Sequence, residues 1–459
     1  MNLLYKNFLS CFALFCLCGC YKNAEDSFID DHFTIIINDT TQYDRQNISQ
    51  NLWTYAQMQE YYLWEEFMPD SASLNFINSP TTFFQKLKYK GDRFSWIERN
   101  PGYRGSTLYD RFGIETISYL LPTGGEIYRV ALVLPFSPAE IAGLRRDDWF
   151  IIIHSNDGKI DIETGKMDGT VFRPEKKLTL SENEKNYTDA VALDTVYLLQ
   201  DKKIGYLFYN SFQDGLDENF TYPYRLELQN IFGNFKKQGI TDLIIDLRYN
   251  PGGYVSIEEI MCGLILPDEY LGEIAGYFSF NRIQAAKRLQ QTGSEEEIKF
   301  FPNKSRIGDN NLEMRKVYFI ITRRSASASE ALINALEPCI SVITIGSTST
   351  GKNVGSYTLE SRNYEWKLQP ITFYYYNRAH ITIPETGIVP DIPVDENNAT
   401  WYDIGDTREL LLSVALEQIT GETQLRSAVE YGNIRLTPAD DGSSQRRKLE
   451  GLLKIRNYE

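Results

Sequence analysis

The stretch KVYFIITRRSASASEALINAL, residues 316–336, limits this fold more than any other part of the chain. KVYFIIT is a continuous apolar run, as a strand covered on both faces requires. ASEALINAL carries Ala and Leu at helical spacing. A strand that feeds a helix across a short turn is the building unit of an α/β domain. The alternation recurs through residues 200–420. KKIGYLFYNSF is strand-like, residues 218–238 read as a helix, TDLIIDLRYN is an apolar run ending in a turn, and SVITIG is a further strand. The expected fold class is therefore α/β.

Two other regions have a different character. Residues 46–100 read as helical, with Leu52, Tyr55, Met58, Tyr62 and Leu63 on one broad face. Residues 105–195 alternate short apolar runs, such as IYRVALVL and DWFIIIHS, with turn residues, which predicts a β-rich domain. The core would then occupy 196–420, and 421–459 is a polar, charged tail. The chain is 42% hydrophobic and 13% aromatic, which excludes a disordered class. A net charge of −15 argues against nucleic acid as a partner, since phosphate contacts need a basic surface.

The first residues, MNLLYKNFLSCFALFCLCGC, join one lysine to a short apolar segment. This reads as a secretory signal rather than a membrane span. Leu17-Cys18-Gly19-Cys20 resembles a bacterial lipobox. It implies a signal over 1–19, lipidation at Cys20, a tether over 20–45, and a place on the bacterial cell envelope, facing the periplasm or the exterior. Beyond these, Cys262 and Cys339 remain, and either a disulfide or two buried thiols is possible. No CxxC or HExxH motif is present, so no metal or cofactor is expected.

In SASASE, Ser327 and Glu330 have the spacing of a capping box. The same geometry would place Ser327 at a helix N-terminus, where backbone N–H groups and the helix dipole favour negative charge. A serine nucleophile needs a base. Of three histidines, His32, His154 and His380, only His380 falls in the α/β region. Lys352, in the glycine-bearing loop GSTSTGKNVGS, is the other candidate. A lysine, with an ordinary pKa of about 10.4, serves as base once desolvation favours the neutral amine. Gly346 to Lys352 also spells GxxxxGK, most of a P-loop. However, Asn353 takes the Ser/Thr position, and VGSYTLE reads as a strand where a helix is needed.

SASASE with a GK loop 25 residues on resembles the C-terminal processing peptidases, or tail-specific proteases. DLRYNPGG, residues 246–253, and GIVPD, residues 387–391, extend the resemblance. It implies a ClpP/crotonase-like peptidase core, Ser327 as nucleophile and Lys352 as general base. The oxyanion would be held by the N–H of Ala328 and of Gly252 or Gly253. The substrates would be polypeptides. SPAEIAGLRRDDWFIII resembles the PDZ signature, with Asp147-Asp148 where Gly-Asp is usual. Phe112, Gly113, Ile114 and Glu115 then resemble its carboxylate-binding loop and strand, a site for substrate C-termini. There is one departure. The family's lysine-orienting glutamine is replaced by Ser356. Serine can still hydrogen-bond there, and the alternative is a weak or inactive scaffold that binds peptides.

Overall fold

The computed structural model describes residues 42–422 apart from 100–106, 157, 184–189, 216–220, 362–364 and 398, together with 436, 439 and the strand 453–455. The signal segment, Cys20, His32, nearly all of the tether and most of the tail lie outside the described residues. The chain divides into two units, 1–46 and 47–459. The second unit holds everything described below except the first residues of the helix Gln42–Tyr61.

A mixed parallel sheet forms the centre. Its order is Ile392–Pro393, Ser341–Gly346, Lys316–Ile321, Asp242–Asp246, Lys202–Tyr209 and Val191–Leu199. All neighbours pair in parallel except the last two strands. Strand side chains alternate between faces, and the two sides of this sheet use that alternation. Val317, Phe319 and Ile321 pack with the helices Pro223–Gln238, Val255–Ile265 and Ala328–Leu336. Tyr318 and Ile320 pack on the other side, with the helix Leu410–Thr420. The continuous apolar run of KVYFIIT is thus explained by a strand covered on both faces. A second sheet has the order Glu297–Phe300, Ile274–Phe280, Ile371–Asn377, Val354–Tyr357 and Leu453–Ile455.

The region 46–100 departs in part from the all-helical expectation. Gln42–Tyr61 and Pro80–Leu87 are helices, but Trp96–Arg99 is a strand. It pairs antiparallel with Trp366–Gln369, more than 250 residues away in sequence. The switch starts at Asp92, whose Oδ1 accepts the N–H of Phe94 and of Ser95 at 2.8 and 2.9 Å. Such an Asx turn ends a helix-like approach and starts an extended segment. Tyr55, Met58 and Tyr62 lie in one buried cluster with Phe83, Phe84, Ile97 and Leu368.

Residues 107–181 form a five-stranded antiparallel meander: Ile114–Leu120, Glu126–Val133, Trp149–Asn156, Lys159–Asp168 and Val171–Ser181. The helix Pro138–Ile141 begins as the sequence suggests. Pro138 is its first residue, and Ser137 Oγ accepts the Glu140 N–H at 3.1 Å. The strand Ile114–Leu120 is an edge strand of this sheet. Cys262 and Cys339 are free thiols, and burial pushes the Cys262 thiol well up.

Candidate active site

Two turns meet beyond the C-terminal ends of the parallel strands Asp242–Asp246 and Lys316–Ile321. One is Leu247–Gly253 and the other Thr322–Ser327. The outer serines of SASASE bind them together. Ser325 Oγ donates to the Leu247 carbonyl at 2.8 Å, and Ser329 Oγ donates to the Asn250 carbonyl at 3.0 Å. The Ala326 N–H also donates to the Asn250 carbonyl, at 3.2 Å. Ser327 differs from both. It is only 1% exposed, and its Oγ has no hydrogen-bond partner among the described residues.

Ser327 is the N-cap of the helix Ala328–Leu336, with φ 59° and ψ −114°. Residues other than glycine seldom adopt a positive φ, and holding one there costs about 1–3 kcal/mol. The strain is met by the surrounding bonds, Glu330 foremost. The Glu330 carboxylate accepts the N–H of Ser327 at 2.9 Å, as the capping-box spacing suggested. It also accepts the N–H groups of Gly351 and Lys352 at 2.7 and 2.9 Å, and the hydroxyl of Ser349. One buried carboxylate therefore fixes the serine turn against the lysine loop. Burial raises its pKa above the ordinary value, against the pull of those four donors. The sequence marked Glu330 as a helix cap; its reach to a loop some twenty residues away was not readable there.

Lys352 is 3% exposed. Its Nζ lies 5.0 Å from the centre of the Phe94 ring. Phe94 comes from the DRFSW turn that Asp92 shapes. Asp92 is in turn held by the Tyr62 hydroxyl at 2.8 Å. Arg93 clamps the same loop by donating to the carbonyls of Thr350 and Glu385 at 3.0 and 3.1 Å. The N-terminal region thus forms a wall of the lysine site. Gly351 has φ 77°, and a Cβ there would lie 2.1 Å from the Glu385 carbonyl oxygen. Only glycine lets the loop approach that closely. No helix follows Lys352; Val354–Tyr357 is a strand, which removes the P-loop alternative.

Ser356 lies in that strand and is buried. Its Oγ accepts from the side-chain amide of Gln369 at 3.0 Å. A glutamine amide is therefore present beside the position where the family pattern has one, but it comes from the neighbouring segment Trp366–Gln369. No local motif could have identified Gln369.

The glycine turn is built as tightly. The Gly252 N–H donates to Asn250 Oδ1 at 2.9 Å. No hydrogen bond among the described residues engages the N–H of Gly253 or of Ala328. Gly252 has φ 106°, and a Cβ there would lie 2.7 Å from Ser327 Cβ and 2.9 Å from the Ala328 nitrogen. Gly252→Ala is therefore expected to lower stability by about 1–3 kcal/mol through strain and forced separation of the two turns. Thermal unfolding of the variant checks this, and an unchanged Tm would show that the turns part freely.

The other marked residues lie elsewhere. His380 sits in a turn with φ 57°, stacked on Tyr277 at 3.9 Å and 3.3 Å from Glu296. His154 is exposed on the meander. Phe112 is buried as the last residue of the helix Leu108–Phe112. The Gly113 N–H closes that helix on the Tyr109 carbonyl at 2.8 Å. Ile114 is buried in the meander core. Glu115 forms a buried ion pair with Arg324 at 2.6 Å, three residues before Ser327.

Two family models match this chain. The peptidase family S41 model covers 203–394, and the peptidase S41 N-terminal domain covers 49–96. Together they span just over half of it. Ser327, Lys352 and the glycine turn fall in the first, and Phe94 in the second. A carboxyl-terminal-processing protease from Picosynechococcus sp. is 25% identical over 308 residues, 64% of this chain and 67% of the relative. The carboxy-terminal processing protease CtpB of Bacillus subtilis is 30% identical over 251 residues, 50% of this chain and 45% of that relative. The chain thus spans less than half the length of CtpB. A crystal structure from Bacteroides fragilis, described as that of an S41 protease, superposes with a TM-score of 0.69 at 23% identity. It covers 80% of this chain and 97% of its own, and it shows the shared fold. By these matches, and with a mixed α/β core behind an N-terminal helical region, the chain belongs to peptidase family S41.

Proposed function

We propose that the chain is a serine endopeptidase of the C-terminal processing type. The observation that carries this reading is the Ser327 hydroxyl, buried and unpartnered at a strained helix start, on a turn that Glu330 ties to the Lys352 loop. Lys352 takes the Ser327 proton, and Oγ attacks the scissile carbonyl. The N–H groups of Ala328 and Gly253 receive the developing oxyanion. Gly252 is the weaker choice of the two glycines, because its N–H is already used by Asn250. Such donors are typically worth about 3–4 kcal/mol each. The protonated lysine then gives its proton to the leaving amine, and water releases the acyl group.

The Gln369–Ser356 pair supports activity despite the family departure. The meander acts as a PDZ domain, taking a substrate C-terminus at Phe112–Glu115 and along the edge strand Ile114–Leu120. Leu17–Cys20 supports a lipid anchor at Cys20 and a place on the bacterial envelope. No helix among the described residues is long and apolar enough to cross a membrane.

Labelling with a fluorophosphonate, followed by mass spectrometry, tests the nucleophile. Modification at Ser327 is expected. Peptide binding with no labelled serine would favour the inactive, peptide-binding alternative.

A further inference from the structure

Among the described residues the strand Ile114–Leu120 pairs only with Glu126–Val133, so its other edge is open within its own sheet. An extended chain joining that edge would use the outward carbonyls, which recur at every second residue. Two successive outward carbonyls, Thr116 and Ser118, are already occupied. Arg324 donates to Thr116 O at 2.9 Å, and the backbone N–H of Ala439 donates to Ser118 O at 2.8 Å. Ala439 belongs to the C-terminal segment, beyond both matched family regions. Three residues earlier, Leu436 packs half-buried on the cluster that contains Ile117 and Tyr119 of this strand. The segment thus meets this strand through one main-chain bond and one apolar anchor.

The tail repeats the arrangement elsewhere. Leu453–Ile455 pairs in parallel with Val354–Tyr357, the strand that starts two residues after Lys352. Without it, that strand would be the free edge of its sheet. Described residues of the C-terminal segment therefore meet two open sheet edges, one at the proposed substrate-binding strand and one beside the proposed base. The polar character of 421–459 in the sequence gives no sign of this.

We infer that the C-terminal segment is an intramolecular ligand of the 114–120 edge, competing in cis with polypeptide C-termini. The inference rests on the peptide-binding reading of that edge. A polypeptide joining the edge must displace the Ala439 bond at Ser118. The tail thus sets a threshold that incoming chains have to exceed.

The test uses the full chain with Ser327→Ala, so that neither tail nor probe is cleaved. Hydrogen exchange is expected to show the Ala439 amide protected; exchange at the unprotected rate overturns the inference. A fluorescein-labelled, unstructured decapeptide with an apolar C-terminal residue and a free carboxylate then serves as probe. Adding Ala439→Pro, which removes the donor, together with Leu436→Asp is expected to tighten its binding by about fivefold. Equal Kd values overturn the role of the tail while leaving the peptide site standing. A probe bound by neither form overturns the peptide site and, with it, the competition.

Discussion

Ser327→Ala is expected to reduce peptidase activity by about 10⁴–10⁶-fold, and Lys352→Ala to do the same, with casein hydrolysis as the assay. In the proposed dyad nucleophile and base act as one unit, so the double variant should be no worse than either single one. The stability prediction runs the other way for the serine. Its hydroxyl is buried and makes no hydrogen bond among the described residues. An unpaired buried hydroxyl costs about 1–3 kcal/mol, so its removal should raise stability or leave it unchanged. Lys352→Ala has no such compensation. It opens a cavity under Phe94 and lowers stability. A Ser327→Ala protein that is inactive but at least as stable separates a chemical role from a structural one. Substantial hydrolysis by the Lys352→Ala variant would remove lysine as the base, and additive losses in the double variant would dissolve the dyad.

The parts of this site readable in the sequence are those with local causes. A strand, a turn and a helix follow from the apolar run and helical spacing of residues 316–336, and the Ser327 position follows from the capping pattern. The glycines of DLRYNPGG and of the GK loop mark close approaches, and the structure puts backbone or side-chain atoms within 3 Å of where their Cβ atoms would be. Long-range contacts were not readable. Gln369 meets Ser356 across neighbouring segments, and Glu330 receives donors from a distant loop. Phe94 covers Lys352 because an Asx turn redirects a segment expected to be helical. The contacts of the tail were not readable for a different reason. Strand addition relies on main-chain groups that every residue carries, so composition says little about it.

Arg248→Ala is expected to cost about 3–5 kcal/mol at pH 7.5, with a pH dependence that identifies the cause. Arg248 is fully buried and forked between two carboxylates. It bonds Asp246 at 2.7 Å and Glu409 at 2.7 and 2.8 Å, and reaches Glu396 at 3.4 Å. Arg146 shares Glu396 and Glu409 and donates to the Tyr249 hydroxyl at 2.7 Å. Three carboxylates thus face two guanidiniums around the turn that leads to Gly252 and Gly253. Burial tends to raise Glu409, yet Arg248 holds it below its ordinary value, while burial raises Glu396. In the intact protein the depressed Glu409 adds stability above its unfolded pKa, and that contribution is lost as pH falls through the folded value. Removing Arg248 reverses the sign. Glu409 and Glu396 are then buried with less opposing charge, so their folded pKa values rise, and the variant gains relative stability as they take up protons. The gap in Tm between wild type and Arg248→Ala should therefore be widest near pH 7.5 and narrow toward pH 5. A gap that stays constant across that range would mean that packing, not charge, is what Arg248 contributes to the turn.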